Sequence, residues 1–212
     1  KVRILNGAHT SMVLGAYLAG QDIVRDCMKD DVIRGYMNQA IYKEIIPTLT
    51  LPEEELMSFA ASVTDRFQNP FIDHALLSIS LNSTAKWKAR VLPSLEGYLE
   101  KTGQVPPCLS ASLAFYLAFY KGIGFVDATF TGDQNGKNQY PISDDPKVLE
   151  FYDAHKDDSA ADYVHAVLSE TSFWGKDLTT LAGLEETVVK DFTFIQEKGC
   201  YELMKQIVNA AE

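Results

Sequence analysis

Lys1, Asn6 and His9 place an amine, a carboxamide and an imidazole within the run Lys1-Val2-Arg3-Ile4-Leu5-Asn6-Gly7-Ala8-His9. Asn6 and His9 are three apart, so a helix beginning near Gly7 carries both on one face at its N-terminal end. Lys1 lies upstream on a Val/Ile/Leu-rich stretch, expected to be extended and to fold back towards that end. The three groups suit the polarisation of a carbonyl. Two uncharged N–H donors can hold a developing alkoxide, and an amine can pass a proton. Burial or a neighbouring cation disfavours the charged form of a lysine and makes it a usable base. An imidazole at a helix N-terminus tends to stay neutral, because the positive end of the helix opposes protonation.

Lys86, Lys88 and Arg90 form a second cationic group. Most such runs are solvated helix faces. Residues 86 and 90 share a face if the segment is helical, and a cation there would also depress a nearby lysine. Asp73 and His74 are candidates to line the same cleft. His155 and His165 show no partner pattern and read as surface or packing residues. The four histidines are widely spread, without His-Glu-x-x-His or paired cysteines, so no metal site is expected.

The elements that must hold these groups are mostly helical. Apolar periodicity marks helices over 9–19 and over 32–45, the second capped by Asp30 or Asp31 and stopped by Pro47. Thr50-Leu51-Pro52-Glu53 reads as a capping box for a helix whose buried stripe is Leu56, Phe59, Ala60, Val63 and Phe67. Further helices are expected over 71–81, 87–99, 109–120, 146–152, 159–168 and 184–196, with a short last helix after Gly199. Segment 109–120 is nearly all apolar and is predicted to be central. Segment 122–142, rich in Gly, Asn, Asp and Thr, is predicted to be an irregular surface excursion with room for a short hairpin. Small Gly15 and Ala16 would let the first helix pack closely. No repeat or flexible linker interrupts the chain, which reads as one mainly α domain over 1–212.

Apolar content is 46%, enough for an ordinary core, and net charge is −10 from 19 basic and 29 acidic residues. That balance argues against general binding of nucleic acid or an anionic membrane. Cys27, Cys108 and Cys200 are odd in number and far apart. They read as free thiols in a reducing, cytoplasmic compartment, with Cys27 and Cys108 packed in the core.

Lys1-x4-Asn6-x2-His9 resembles the signature of the polyol-specific long-chain dehydrogenases, the mannitol dehydrogenase family. Glu44-Ile45-Ile46-Pro47-Thr48-Leu49 looks like the family's helix-ending motif. Arg66-Phe67-Gln68-Asn69-Pro70 looks like its Arg-Phe-x-Asn-Pro block, and Lys86 to Pro93 falls where the family has a basic, substrate-contacting stretch. The run from His74 to Ser83 is most similar to the branch that interconverts D-tagaturonate and D-altronate. The family's fructuronate (mannonate) and mannitol enzymes are the alternatives. His74 stands where the mannitol enzymes have an Asp, which speaks against mannitol.

The resemblance implies a C-terminal domain like that of 6-phosphogluconate dehydrogenase. It makes Lys1 the general acid/base and Asn6 and His9 the donors to the reacting oxygen. Lys86 aligns with an Arg that contacts the polyol, and Arg90 and His74 are further substrate-binding candidates for a sugar acid. Asn69 is read as a turn-forming residue. NAD would be bound by a Rossmann domain upstream, absent from this sequence. No Gly-x-Gly-x-x-Gly follows a strand here, and no cofactor-binding residue is expected within 1–212. The rival of a different class is a non-catalytic helical binding or assembly module.

Overall fold

A computed structural model describes residues 1–212. The chain enters through a turn of π-helix, Val2–Asn6, which runs unbroken into α1, Gly7–Leu18. Then come α2, Val24–Lys29, and α3, Asp31–Gln39, whose first amides at Val32 and Ile33 are capped by the Asp30 carboxylate. The α3 rod continues as π-helix over Ala40–Ile45. It ends in a 3₁₀ turn at Ile46–Thr48, where Pro47 cannot extend the ladder. The next helices are α4, Glu53–Phe67, α5, Leu76–Ile79, α6, Ser83–Arg90, α7, Leu92–Thr102, and α8, Pro107–Tyr120. A three-stranded antiparallel meander follows: β1, Gly124–Val126, β2, Thr129–Asp133, and β3, Gln139–Pro141. The chain closes with α9, Pro146–Ala154, α10, Ala160–Ser169, α11, Thr171–Trp174, α12, Leu184–Lys198, and α13, Cys200–Ala210.

Helix α8 is central because almost none of its side chains needs water. Cys108 to Leu117 are all buried, as are Phe119 and Tyr120. Its small polar residues are satisfied internally: Ser112 accepts from the Trp87 indole at 2.9 Å and donates to the Leu109 carbonyl at 2.6 Å. Helix α1 crosses α8 at Gly15. A Cβ there would stand 2.6 Å from a ring carbon of Phe115 and 2.8 Å from Met204 Cε. Gly15→Ala should therefore destabilise the protein by about 1–3 kcal/mol through overpacking, although Ala is the better helix former by about 1 kcal/mol. Urea unfolding checks this, and a midpoint at or above wild type would contradict the tight crossing.

Several local expectations need correction. The stretch after Lys1 is helical, not extended, because the 2–6 backbone completes a π ladder into α1. Thr50 caps nothing. Helix α4 begins at Glu53 behind Pro52, which makes no side-chain capping bond. Of segment 71–81 only Leu76–Ile79 is helical. Asn69 Oδ1 takes the Phe71 amide at 2.9 Å, as its turn-forming reading expects, Arg25 holds Asp73 at 2.7 Å, and Ala75 bridges to Ile23, so the 69–75 backbone is used up outside a helix. The basic stretch is two helices, α6 and α7, broken at Val91. Segment 122–142 is ordered into the meander and is not only surface, since Phe130, Tyr140 and Ile142 are buried. All three cysteines are buried and free.

Candidate active site

The π-helical entry sets the geometry of the first three candidates. The Lys1 carbonyl accepts from the amides of both Leu5, at 3.0 Å, and Asn6, at 3.2 Å. In a plain α-helix five residues overshoot one revolution by about 140°. The wider π turn removes most of that overshoot and sets Asn6 above Lys1. His9 follows by three residues, nearly one more turn. Lys1, Asn6 and His9 thus run along one edge of a continuous helix. The Asn6 carboxamide makes no capping bond to α1, and its residue is half-buried.

His9 is the most constrained of the three. Its ring stacks on Phe67 with centroids 4.1 Å apart and planes 12° from parallel, and it meets the His74 ring edge-on at 5.8 Å. Its Nε2 is buried and has no hydrogen-bond partner. Burial, then the positive charges of His74 and Arg90, push its pKa down to about 4. The imidazole is therefore neutral near pH 7 and keeps an N–H to donate.

Helix α6 brings the cations close. A Cβ on Gly7 would stand 3.0 Å from the Arg90 carbonyl oxygen, so the missing side chain lets the end of α6 lie against the first turn of α1. Asp144 pins the other end of α6, accepting from the Thr84 amide and hydroxyl and from the Tyr120 hydroxyl. Lys86 is half-buried and donates to the Ile79 carbonyl at 2.7 Å. Burial and then Arg90 lower its pKa, with Asp144 opposing. Lys88 is exposed and runs past Gly175. Arg90 makes no side-chain bond.

Two hollows flank this edge. His9, His74 and Arg66 wall a cavity of about 170 Å³ together with Leu5, Phe67 and Ile72. Lys1 borders a separate groove of about 580 Å³ beside Leu49, Leu51, Glu55 and Phe59. The two are spaced along α4, about 10 Å apart from Phe59 to Arg66 at 1.5 Å per residue. Lys86 and Arg90 line neither hollow. The fold thus joins His9 to His74 and leaves Lys1 at the neighbouring groove. In the sequence Arg66 is only a motif letter, and Phe67 is a motif letter and a member of the buried stripe of α4. Their place against His9 is a tertiary contact with no local signal.

Glu44 also differs from its motif reading. Its carboxylate is buried and accepts the Cys108 and Leu109 amides at 2.8 and 2.9 Å, so it caps the start of α8 rather than merely ending a helix. Burial outweighs these two donors and pushes its pKa up to about 7. His155 and His165 lie at the surface, where they bond Asp158 at 2.6 Å and Glu185 at 2.7 Å, and His155 packs on Phe151. No three His, Cys, Asp or Glu side chains are gathered to hold a metal ion.

The family model of the mannitol dehydrogenase C-terminal domain matches residues 1–196. The chain belongs to the mannitol dehydrogenase family. It is 42% identical over 213 residues to the altronate oxidoreductase of Klebsiella pneumoniae, covering 98% of this chain and 42% of the relative. Against that of Yersinia enterocolitica it is 42% identical over 205 residues, covering 94% and 40%. This mannitol dehydrogenase C-terminal domain therefore spans about two-fifths of the length of those relatives. Its fold is that of Pseudomonas fluorescens mannitol 2-dehydrogenase, solved as a ternary complex with NAD and D-mannitol. The TM-score is 0.84 at 20% identity, over 99% of this chain and 40% of that one. A substrate-free D-sorbitol dehydrogenase gives a TM-score of 0.80 at 22% identity, over 96% and 39%. The domain is mainly α. No helix in it is long and apolar enough to cross a membrane.

Proposed function

We propose that this domain is the substrate-binding, proton-transferring half of an NAD-dependent oxidoreductase that interconverts D-tagaturonate and D-altronate. The observation that carries the reading is the buried, unpartnered Nε2 of a neutral His9, one turn beyond Asn6 with its uncommitted carboxamide. A buried ring nitrogen without a partner costs about 1–3 kcal/mol, and in the Nε2–H tautomer a ligand oxygen relieves that cost. Asn6 and His9 donate to the substrate's carbonyl oxygen and stabilise its negative charge. Lys1, whose side chain must reach over Leu5 to that oxygen, gives the proton in reduction and takes it in oxidation. Arg90, whose positive charge is felt at His9, adds a favourable potential for an anionic substrate, and His74 offers its imidazole at the cavity wall.

The residues present do not fit a dinucleotide. The sheet is a short antiparallel meander, with no strand leading through a glycine turn into a helix of the kind that cradles a pyrophosphate. The cofactor would be held by an upstream Rossmann domain, a partner suggested by relatives more than twice this length. A substrate panel on the protein with its complete upstream region tests the proposal. NADH oxidation should be fastest with tagaturonate, slower by roughly tenfold or more with fructuronate, and slower still with fructose. Preference for fructuronate or fructose would move the assignment to the mannonate or mannitol enzymes. No turnover of any would favour a non-catalytic module.

A further inference from the structure

We propose that Arg66 recognises the acid group of the substrate, its guanidinium taking the carboxylate of a keto sugar acid at the mouth of the cavity walled by His9 and His74. The inference rests on the oxidoreductase reading for which face holds the substrate. It adds the residue that makes the site select an acid.

The cavity is unlike four other hollows of this acidic chain. Its polar lining is Arg66, His9 and His74, with no carboxylate. Four other hollows each include an Asp or Glu: Asp133, Glu44 with Asp191, Glu55, and Glu53. In a chain of net charge −10, an acid-free hollow with an arginine at its edge is a place where an anion meets no like charge. Its volume, about 170 Å³, is below the roughly 300–1,000 Å³ of pockets for drug-sized ligands, so it suits one end of a small molecule.

Arg66 is also free to act. Arg3 is bonded to Ser94 and Thr48, Arg25 to Asp73 and Pro70, and Arg34 to Asp31 and Met28. Arg66 and Arg90 have no such partner, and Arg90 does not line the cavity. Lys86 does not line it either, and its amine already serves the Ile79 carbonyl. Arg66 stands in the last turn of α4 with Phe67, which stacks on His9, and all three line the same cavity. Leu5 and Phe67 give the cavity an apolar wall, and a guanidinium can hold a carboxylate there through two parallel N–H···O bonds.

The test compares wild type, Arg66→Ala and Arg66→Lys in the protein with its complete upstream region. Arg66→Ala should raise KM for the keto sugar acid roughly 10- to 100-fold, leave kcat within about threefold, and leave KM for a neutral ketose unchanged. Arg66→Lys should recover part of the loss, since it keeps the charge without the fork. Binding of unreactive gluconate against neutral glucitol, with and without NADH, is the second readout. Gluconate should bind wild type more tightly, and Arg66→Ala should abolish that preference. Equal effects on acid and neutral ligands, or none, would overturn the proposal. If wild type turns over no sugar, the oxidoreductase reading falls, while the gluconate preference still decides the role of Arg66. Arg66 is exposed, so the variants should keep the wild-type melting temperature. Should Arg66→Ala not fold, Arg66→Gln replaces it in the same comparison.

Discussion

Lys1→Ala, made in the protein with its complete upstream region, should lower kcat by roughly 10²- to 10⁴-fold, the usual contribution of a positioned acid or base. Binding of NADH and of the sugar acid should survive, because Lys1 is exposed and anchors no part of the core. Stopped-flow hydride transfer with fluorescence titration of NADH separates the two effects. The residual rate should rise with added small primary amines, which can stand in for the missing proton carrier. Asn6→Ala should instead lower kcat by roughly 10²- to 10³-fold without amine rescue, as loss of one oxyanion donor does. Unchanged turnover in Lys1→Ala would remove Lys1 from the mechanism. It would make its position at the neighbouring groove, away from the His9 cavity, the functionally meaningful one.

The second large effect is on stability, and its sign changes with pH. Glu44 has its folded pKa raised from 4.5 to about 7. The folded protein therefore holds that proton more tightly than the unfolded chain. Its contribution to stability is full below about pH 4.5 and is lost as pH rises to about 7. His9 has its folded pKa lowered from 6.5 to about 4. Its contribution is full above about pH 6.5 and is lost as pH falls towards 4. Each amounts to about 3 kcal/mol at most, at about 1.4 kcal/mol per tenfold change in proton affinity. The two slopes oppose each other between about pH 4.5 and 6.5, and wild type conceals both. Glu44→Gln should match wild type within about 1 kcal/mol at pH 4.5 and gain on it progressively, up to about 3 kcal/mol, by pH 8. His9→Phe should show the reverse trend, losing its advantage as pH rises from 4 to 6.5. Urea unfolding across pH 4–8 measures both. A Glu44→Gln curve offset from wild type by a constant amount would mean that Glu44 titrates alike in the folded and unfolded chains. Glu44→Ala is a different lesion, since it strands two buried amides of α8 and should cost about 2–5 kcal/mol near pH 4.5, a cost that shrinks as pH rises towards 7 and wild type loses its own Glu44 contribution.

The parts of the fold legible from sequence are those governed by near neighbours. Asp30 before the Val32-Ile33 run is a cap because its oxygen reaches amides two and three residues on. Pro47 ends a helix by lacking an N–H, and Gly199, with φ of +90°, separates α12 from α13. The all-apolar face of α8 needs burial wherever it goes. Segment 71–81 is predicted to be helical, yet Phe71 and Ile72 lie outside any helix and are 92% and 58% exposed. Their backbone is held by Asn69, Arg25 and Ile23, two of which lie about fifty residues earlier. The meander falls in the segment predicted to be irregular with room for a short hairpin, because its polar turns dominate the composition. Phe130 and Tyr140 are buried by docking on the helices, which pattern alone does not show.

By itself the sequence determined that an amine, a carboxamide and an imidazole follow one another closely at one helix entrance, and that the chain is mainly α. Both follow from covalent spacing and helical period, which act over a few residues. The tertiary structure decided the rest. It wound 2–6 as a π turn, stacked His9 on Phe67, set Arg66 and His74 around the imidazole's cavity, and sent Glu44 to cap α8. Those pairings join residues far apart in the chain. They are fixed by which apolar faces must be buried against one another, and the resulting loss of water sets the proton affinities of His9 and Glu44.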